Sequence, residues 1–353
     1  MKLAALNFPR TDPTPIFDAF RGNYATDLLT AAVTYFRVFE RLKERTASFE
    51  ALRTQCGLAE RGAVVLFTAL RALNLLSRNA NGELELTEQA REHLIPGAPF
   101  DVSGYIGLAA ESAGVKAMIE RLRTNAPAGA QDKTKGAAFI YRQGIESAME
   151  TEASARHLTM MLAGRAKNCA PALAHGVPLG EARQLLDVGG GTGIYSIACL
   201  QKNPQLRAVV WDRPEVLKIA AEMARDYGVS DRVECCVGDM FIDPLPAGCD
   251  VILLSNVLHD WDVPQCRALL KRCAAALPSG GRVLVHDVFL NDDMDGPLPV
   301  ALYSGALFYL TEGRAYSAAE YPRVVERSGL GAGQDRADTG SLRGAIRGQV
   351  SAG

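Results

Sequence analysis

Short apolar runs alternate with amphipathic stretches along this chain, most regularly in its second half. The runs at 184–188, 206–211, 233–237, 250–255 and 281–288 are strand-length and predict buried strands. Between them, 194–202, 214–227 and 264–276 carry apolar residues at three- and four-residue steps and predict helices. Pro214 suits the first turn of its helix, and Pro278-Ser-Gly-Gly281 reads as the turn into the last strand. Alternation of this kind implies a mostly parallel sheet with helices on both faces.

The first half reads differently. Residues 24–44 repeat Leu28, Leu29, Ala32, Tyr35, Phe36 and Phe39 at helical spacing. Ser48 is expected to cap a helix ending at Gly57, with a second helix over 60–74. A turn at 79–82, the short strand Glu83–Leu86 and a helix capped by Thr87 through Leu94 complete a winged-helix arrangement. Such modules often bind DNA, which makes a winged-helix regulator the competing reading. The would-be recognition helix, however, carries Val64, Val65, Leu66, Phe67, Leu70 and Leu73, with Arg61 and Arg71 as its cations. A groove-reading helix needs polar side chains on its outer face, so this one predicts burial in a subunit interface instead. Residues 100–180 read as connecting helices, and Ser317-Ala-Ala-Glu320 as a capping box for a late helix ending at Gly329.

Composition narrows the class. The 353 residues are 48% hydrophobic and carry a net charge of −2, enough to bury a sizeable core and a poor match to a nucleic-acid partner. No apolar run approaches a membrane span, and the opening MKLAALNFPRTDP lacks the pattern of a secretory leader. The eight cysteines form no C-x-x-C pair and predict reduced core residues of a cytoplasmic protein.

The chemistry concentrates in LLDVGGGTG, Leu185 to Gly193. Glycines let the backbone turn sharply and approach a ligand, and the helix that follows would aim free N–H groups at it. Ile194 stands where the dinucleotide fingerprint needs its third glycine, so the pattern is G-x-G-x-G. Asp212 and Asp239 close the next two predicted strands, as Asp187 closes the first. Ligands of doubly wound sheets sit outside the carboxyl ends of the strands, so these acids converge on one rim. Asp212 is placed to accept from two ribose hydroxyls, and Asp239 with Met240 to border an adenine. Asp187 would orient the glycine loop or meet an ammonium group. A nicotinamide cofactor would also use the ribose acid, but gives no reason for an acid directly before the glycines.

Together with LLDVGGGTG, the ordered motifs WDRPEVL, GDMF, NVLHDWD and GRAYSAAEY resemble the S-adenosylmethionine-dependent O-methyltransferases of the caffeate/acetylserotonin type. The resemblance spans nearly the whole chain. It implies a Rossmann-like seven-stranded α/β sheet with an antiparallel strand, over 105–353 with linking helices, preceded by a winged-helix dimerisation domain over 1–104. It implies S-adenosylmethionine held by Gly189, Gly190, Gly191, Asp212, Asp239 and Met240, with Asp187 and Ser255 also facing it. His259 would be the general base, Asp287 the acid beside it, and Met161 the methionine lining the acceptor pocket. Two positions depart from the plant pattern: Ser255 replaces a lysine, and Ala315 replaces a second acid.

Methyl transfer to a hydroxyl asks the protein for position and for removal of a proton, and a neutral imidazole is available near neutral pH. His259-Asp260 and His286-Asp287 nevertheless also make a plausible metal set from His259, Asp260 and His286. That set would suit a C-methyltransferase acting on a 2-oxo acid, with Arg165 or Arg314 for its carboxylate. Strand alternation argues against it, because if Asp287 faces His259 then His286 faces away. Leu302, Ala306, Tyr309 and Leu310 share a helical face and are expected to border the acceptor, with small Ala306 and Ala315 leaving room for a bulky one. His93, His157 and His175 read as helix-surface or core residues. The expected protein is a cytoplasmic homodimer acting on a small aromatic or polyketide-like metabolite, without nucleic acid or membrane partners.

Overall fold

A computed structural model describes residues 3–126, 152–177 and 179–320, with the backbone of four short strands between residues 331 and 351. Two compact units emerge. One takes in the described residues between Asp18 and Ala137 together with Leu290–Ser317; the other takes in the rest.

In the first unit, helix α1 (Ala25–Thr30) runs into a π-turn at Ala31–Tyr35. Ser48 caps α2 (Phe49–Cys56) by accepting from the Ala51 N–H at 3.2 Å, and Gly57 ends it in a left-handed conformation, φ 63°. Helix α3 (Glu60–Ala72) is buried over most of its surface. Strands β1 (Leu76–Arg78) and β2 (Leu84–Leu86) pair as an antiparallel hairpin. Thr87 caps α4 (Glu88–His93), and α5 (Ala113–Thr124) follows.

The single cut expected at residue 104 is not where the units divide. The helix Leu298–Leu310 belongs to this first unit. The reason is packing: the helix is apolar all round, Phe308 joins Leu28, Leu66 and Leu70 in one core, and Gly305 makes room for the Leu28 side chain. A buried arginine, Arg121, donates to the carbonyls of Phe308 (2.7 Å) and Thr311 at the helix end, satisfying acceptors the helix cannot satisfy itself.

The second unit opens on helix α6 (Glu152–Gly176) and continues β3 (Gln184–Val188), α7 (Ile194–Lys202), β4 (Arg207–Asp212), α8 (Pro214–Asp226), β5 (Val233–Val237), β6 (Val251–Ser255), α9 (Val263–Ala276) and β7 (Arg282–Leu290). Two strands near the end, β8 (Ala337–Asp338) and β9 (Gly344–Arg347), complete a path ordered β8-β9-β7-β6-β3-β4-β5. β3 to β7 run parallel; β9 pairs antiparallel with β7. The path thus has seven strands; β9 and, off the path, Val350–Ser351 both run antiparallel to β7. Further two-residue strands, Gly331–Ala332 and Val350–Ser351, pair with each other.

The chain steps from β3 outward to β4 and β5, then returns to β6 on the other side. The strand order therefore reverses between β3 and β6, the place where an open α/β sheet offers a crevice. The predicted capping-box helix beyond Glu320 lies outside the described residues. No helix among the described residues is long and apolar enough to cross a membrane. No disulfide joins the cysteines, and six of them are buried; Cys235 and Cys236 sit toward solvent on β5, which is the end strand of the path.

Candidate active site

At that reversal point the second unit holds a cavity of about 370 Å³. Its floor is the loop after β3. Gly189, Gly191 and Gly193 take φ values of 65°, 58° and 69°, open to glycine at little cost. At Gly190 the constraint is space, since a Cβ would stand 2.8 Å from Asp187 Cγ. Gly238, after β5, is more restrictive: a Cβ there would lie 2.1 Å from Trp211 Nε1. At both positions the backbone packs directly against a neighbouring side chain, Asp187 or Trp211, with no space for a Cβ.

Four carboxylates, Asp187, Asp212, Asp239 and Asp260, line this cavity, against the cations Arg165 and Arg213. Asp187 is fully buried; Ser196 donates to its Oδ2 at 2.6 Å, while Oδ1 has no hydrogen-bond partner. Burial pushes its carboxyl up to about 7, partly opposed by the Ser196 bond. Asp212 is held by backbone: Gly191 N–H donates to Oδ2 at 2.9 Å and Arg213 N–H to Oδ1 at 2.8 Å. Burial raises this acid too, and those two bonds work against the rise. Asp239 Oδ1 accepts from Phe241 N–H, and Met240, Phe241 and Trp261 share its side of the cavity, the last two meeting edge to face.

Such a cavity fits the group the sequence points to. An acid-lined pocket with an unpartnered buried carboxylate oxygen suits a ligand carrying sulfonium and ammonium charge. The positive-φ glycines Gly189 and Gly191 bring bare backbone to the cavity, which suits close approach by a nucleoside.

Beside the cavity stands a histidine–aspartate pair. After β6, Asn256 turns the chain in a left-handed conformation (φ 56°), its N–H bonded to the His286 carbonyl at 2.8 Å. One short 3₁₀ turn, Leu258–Asp260, then precedes α9, whose cap is Asp262. This places His259 Nδ1 at 2.5 Å from Asp287 Oδ1 on β7. Asp287 also accepts from the Val288 N–H at 2.8 Å. A carboxylate at this distance favours the tautomer with its proton on Nδ1 and its lone pair on Nε2. Asp260 Oδ1 is 3.7 Å from Nε2. Burial pushes the imidazole pKa down, but Asp287 and Asp260 together outweigh it, and the net shift is upward. His259 and Asp287 are 4% and 1% exposed and stand behind the cavity wall; Asp260 and Trp261 reach it.

His286 goes elsewhere. Its Nδ1 lies 2.8 Å from Ser255 Oγ, and its ring meets Tyr195 edge to face. Asn256 Nδ2 donates to Ser255 Oγ (3.2 Å) and to the Tyr195 hydroxyl (3.3 Å). Burial lowers the His286 pKa to about 4. The set His259, Asp260, His286 is therefore not assembled: strand alternation gives His286 a hydroxyl partner while Asp287 takes His259. No group of three metal-ligating side chains occurs among the described residues.

Of the residues expected from sequence, Asp187, Gly189, Gly190, Gly191, Asp212, Asp239, Met240 and Ser255 all line the one cavity. Met161 does not. It is 62% exposed, because α6 turns Leu162, Ala163, Arg165 and Ala166 to the cavity instead. Ala306 and Leu310 belong to the other unit, where Ala306 is buried and Leu310 half-buried. Ala315 is fully buried, its N–H bonded to Ser304 Oγ. Arg314, one of the two cations considered for a carboxylate, is buried against the Tyr316 ring. Sequence reasoning passed over Tyr195, Asn256 and Gly238. Gly238 directly precedes Asp239 of the GDMF motif, which is the one signal that marked it.

Comparison with known proteins adds the following. A family profile described as O-methyltransferase domain matches residues 127–331. The chain is 35% identical over 319 residues to a 3-hydroxy-5-methyl-1-naphthoate 3-O-methyltransferase of Streptomyces sahachiroi, covering 90% of this chain and 89% of that one. It is similar to the crystal structure of an O-methyltransferase family 2 protein from Planctomyces limnophilus in complex with apigenin, with 48% identity, a TM-score of 0.87 and 99% of both chains covered. Human N-acetylserotonin methyltransferase in complex with SAM shares the fold, at 22% identity and a TM-score of 0.59 over 95% of this chain and 96% of that one.

Proposed function

This chain belongs to the O-methyltransferase domain family and is an S-adenosylmethionine-dependent enzyme that methylates a hydroxyl of a small aromatic or polyketide-like molecule; we propose that His259 is its general base and Asp287 the acid that orients it. The observation that carries this reading is the 2.5 Å bond between His259 Nδ1 and Asp287 Oδ1 beside a glycine-floored, acid-lined cavity.

The donor supplies an already activated methyl group on a positively charged sulfur. The rest falls to the chain's own residues. Asp212 would hold the ribose hydroxyls, Asp239 and Met240 would border the adenine, and Asp187 with Ser255 would face the amino-acid end. His259 takes the acceptor's hydroxyl proton at Nε2 as the oxygen gains its methyl. Asp287 would fix the tautomer with its lone pair on Nε2 and stabilise the imidazolium that forms. The acceptor we infer is a phenol on a fused or linked ring system, of the kind a hydroxynaphthoate or flavone presents, in keeping with the relatives above. Met161, Ala306 and Leu310 remain our candidates for its contacts. We further infer a cytoplasmic homodimer whose winged-helix-like N-terminal part, residues 1–104, makes the subunit contact. That none of the cysteines forms a disulfide is in keeping with a reducing compartment.

Calorimetry with S-adenosylhomocysteine, followed by turnover assays on a panel of hydroxynaphthoates, flavones and 2-oxo acids, tests the reading. Binding of the nucleoside and methylation of a phenol are expected. Asp212→Ala should weaken that binding by roughly 10- to 100-fold, the worth of a hydrogen bond to a charged group. Methylation of 2-oxo acids alone, dependent on added metal, would overturn it.

A further inference from the structure

The base reading leaves a proton to be disposed of. Each turnover would protonate His259 in a place water hardly reaches, since its side chain is 5% exposed and that of Asp287 is 1% exposed. Before another hydroxyl can be deprotonated, that proton must leave.

Four ionisable groups face the imidazole. Asp287 on β7 is a dead end: one oxygen already holds Nδ1, and the other is buried with no hydrogen-bond partner. Arg165 on α6 carries a full complement of protons and accepts none. His286, also on β7, is 2% exposed, and its Nδ1 is engaged by Ser255. Asp260 differs from all three. Its Oδ1 is 3.7 Å from His259 Nε2, its side chain is 31% exposed, and it lines the cavity.

We propose that Asp260 is the exit for the proton that His259 takes up, passing it from Nε2 to the solvent that refills the cavity when product leaves. This rests on His259 being the base. The balance is simple. The N–H bond at Nε2 breaks as an O–H bond forms on the Asp260 carboxylate, directly after a small side-chain rotation or through one bridging water. The carboxylic acid then gives its proton to water or buffer, and both groups return to their starting charge. Burial first, and then the neighbouring Asp287, push the Asp260 carboxyl above its ordinary range, while His259 and Arg165 pull it down. Carboxyl and imidazole are thus both shifted upward, and it is the 3.7 Å approach and the exposure of Asp260 that mark it as the exit. The same Asp260 charge is one of the influences raising His259.

The test uses the full chain with saturating donor and whichever phenol the panel above shows to turn over fastest. Product is followed by rapid quench, and the proton by an indicator in weakly buffered solution. In the unmodified enzyme, proton and product should appear in step. In Asp260→Asn, the steady-state rate should fall by about tenfold or more relative to the first turnover, with the proton trailing the product. Added formate, small enough to enter the cavity, should restore both, and Asp260→Glu should behave nearly as the parent. His259 should also titrate at lower pH in Asp260→Asn, read by NMR on the free protein. Proton release in step with product in Asp260→Asn, or equal loss in both phases without formate rescue, would overturn the exit. Full activity in His259→Ala would sink the base reading itself, a separate result.

Discussion

His259 and His286 make a natural experiment within one sheet. Each precedes an aspartate and each is almost completely buried; His259 lies in the turn after β6, and His286 within the neighbouring strand β7. Yet one imidazole is shifted up and the other down to about 4. Burial alone pushes both down, because it penalises the charged form. What separates them is the charge around the ring: Asp287 at Nδ1 and Asp260 near Nε2 for His259, the uncharged Ser255 hydroxyl at Nδ1 for His286. One ring can carry a proton during a reaction cycle. The other is a neutral structural hydrogen-bonding group.

The largest expected effect breaks the pair at its reactive member. His259→Ala should lower kcat/KM by about 10²- to 10⁴-fold, the usual worth of a general base, in a methyl-transfer assay with a phenol. His286→Gln should leave most of that activity. If the two variants lose activity equally, the functional distinction fails.

Asp287→Asn sharpens the comparison by giving His259 a neutral partner. Because the raised imidazole is basic only above its folded pKa, activity in the parent enzyme should climb with pH through that value. Removing the carboxylate moves the climb to lower pH, and the maximum falls by roughly 10- to 100-fold as tautomer control is lost. A pH profile of kcat/KM whose acid limb stays in place would refute the assigned cause.

The same pair shows how far the sequence could be read. That His286 turns away while Asp287 meets His259 followed from a period of two along β7. The convergence of Asp187, Asp212 and Asp239 followed from strands ending in acids. The phase of α6 did not follow. Its sequence around His157–Asn168 mixes small and apolar residues on all sides, so nothing announced that Leu162 and Arg165, rather than Met161, meet the cavity. Nor did the order of the chain reveal that Leu298–Leu310 packs with the N-terminal unit: an all-apolar helix advertises burial without naming its neighbour. Close approaches such as Gly238 on Trp211 depend on strand register, which a single sequence leaves open.

Stability against pH should separate the two histidines by sign. His286 has a folded pKa of about 4, below the ordinary 6.5, so the unfolded chain binds the extra proton between those values. Its contribution is fully present above pH 6.5 and is lost as pH falls toward 4, by roughly 3 kcal/mol in all. His259, shifted up, contributes below pH 6.5 and loses that contribution as pH rises through its folded value. Urea unfolding of His286→Gln at a series of pH values should therefore show a flatter decline between pH 6.5 and 4 than the parent. An unchanged slope would mean that His286 is not held neutral.

The smallest expected effect concerns the hydroxyl partner. Ser255→Ala takes away the group at 2.8 Å from His286 Nδ1 but adds no charge. Asn256 Nδ2 keeps the Tyr195 hydroxyl as an acceptor, so the loss is confined mainly to the buried ring. Leaving one such nitrogen unpaired costs about 1–3 kcal/mol. The acid slope of stability should survive, because burial still disfavours the charged ring and no carboxylate has come to rescue it. Overall stability should fall while the slope between pH 6.5 and 4 stays that of the parent. If the slope vanished together with the hydroxyl, the hydroxyl rather than burial would be what keeps His286 neutral, and the contrast with His259 would have to be redrawn around hydrogen bonding instead of charge.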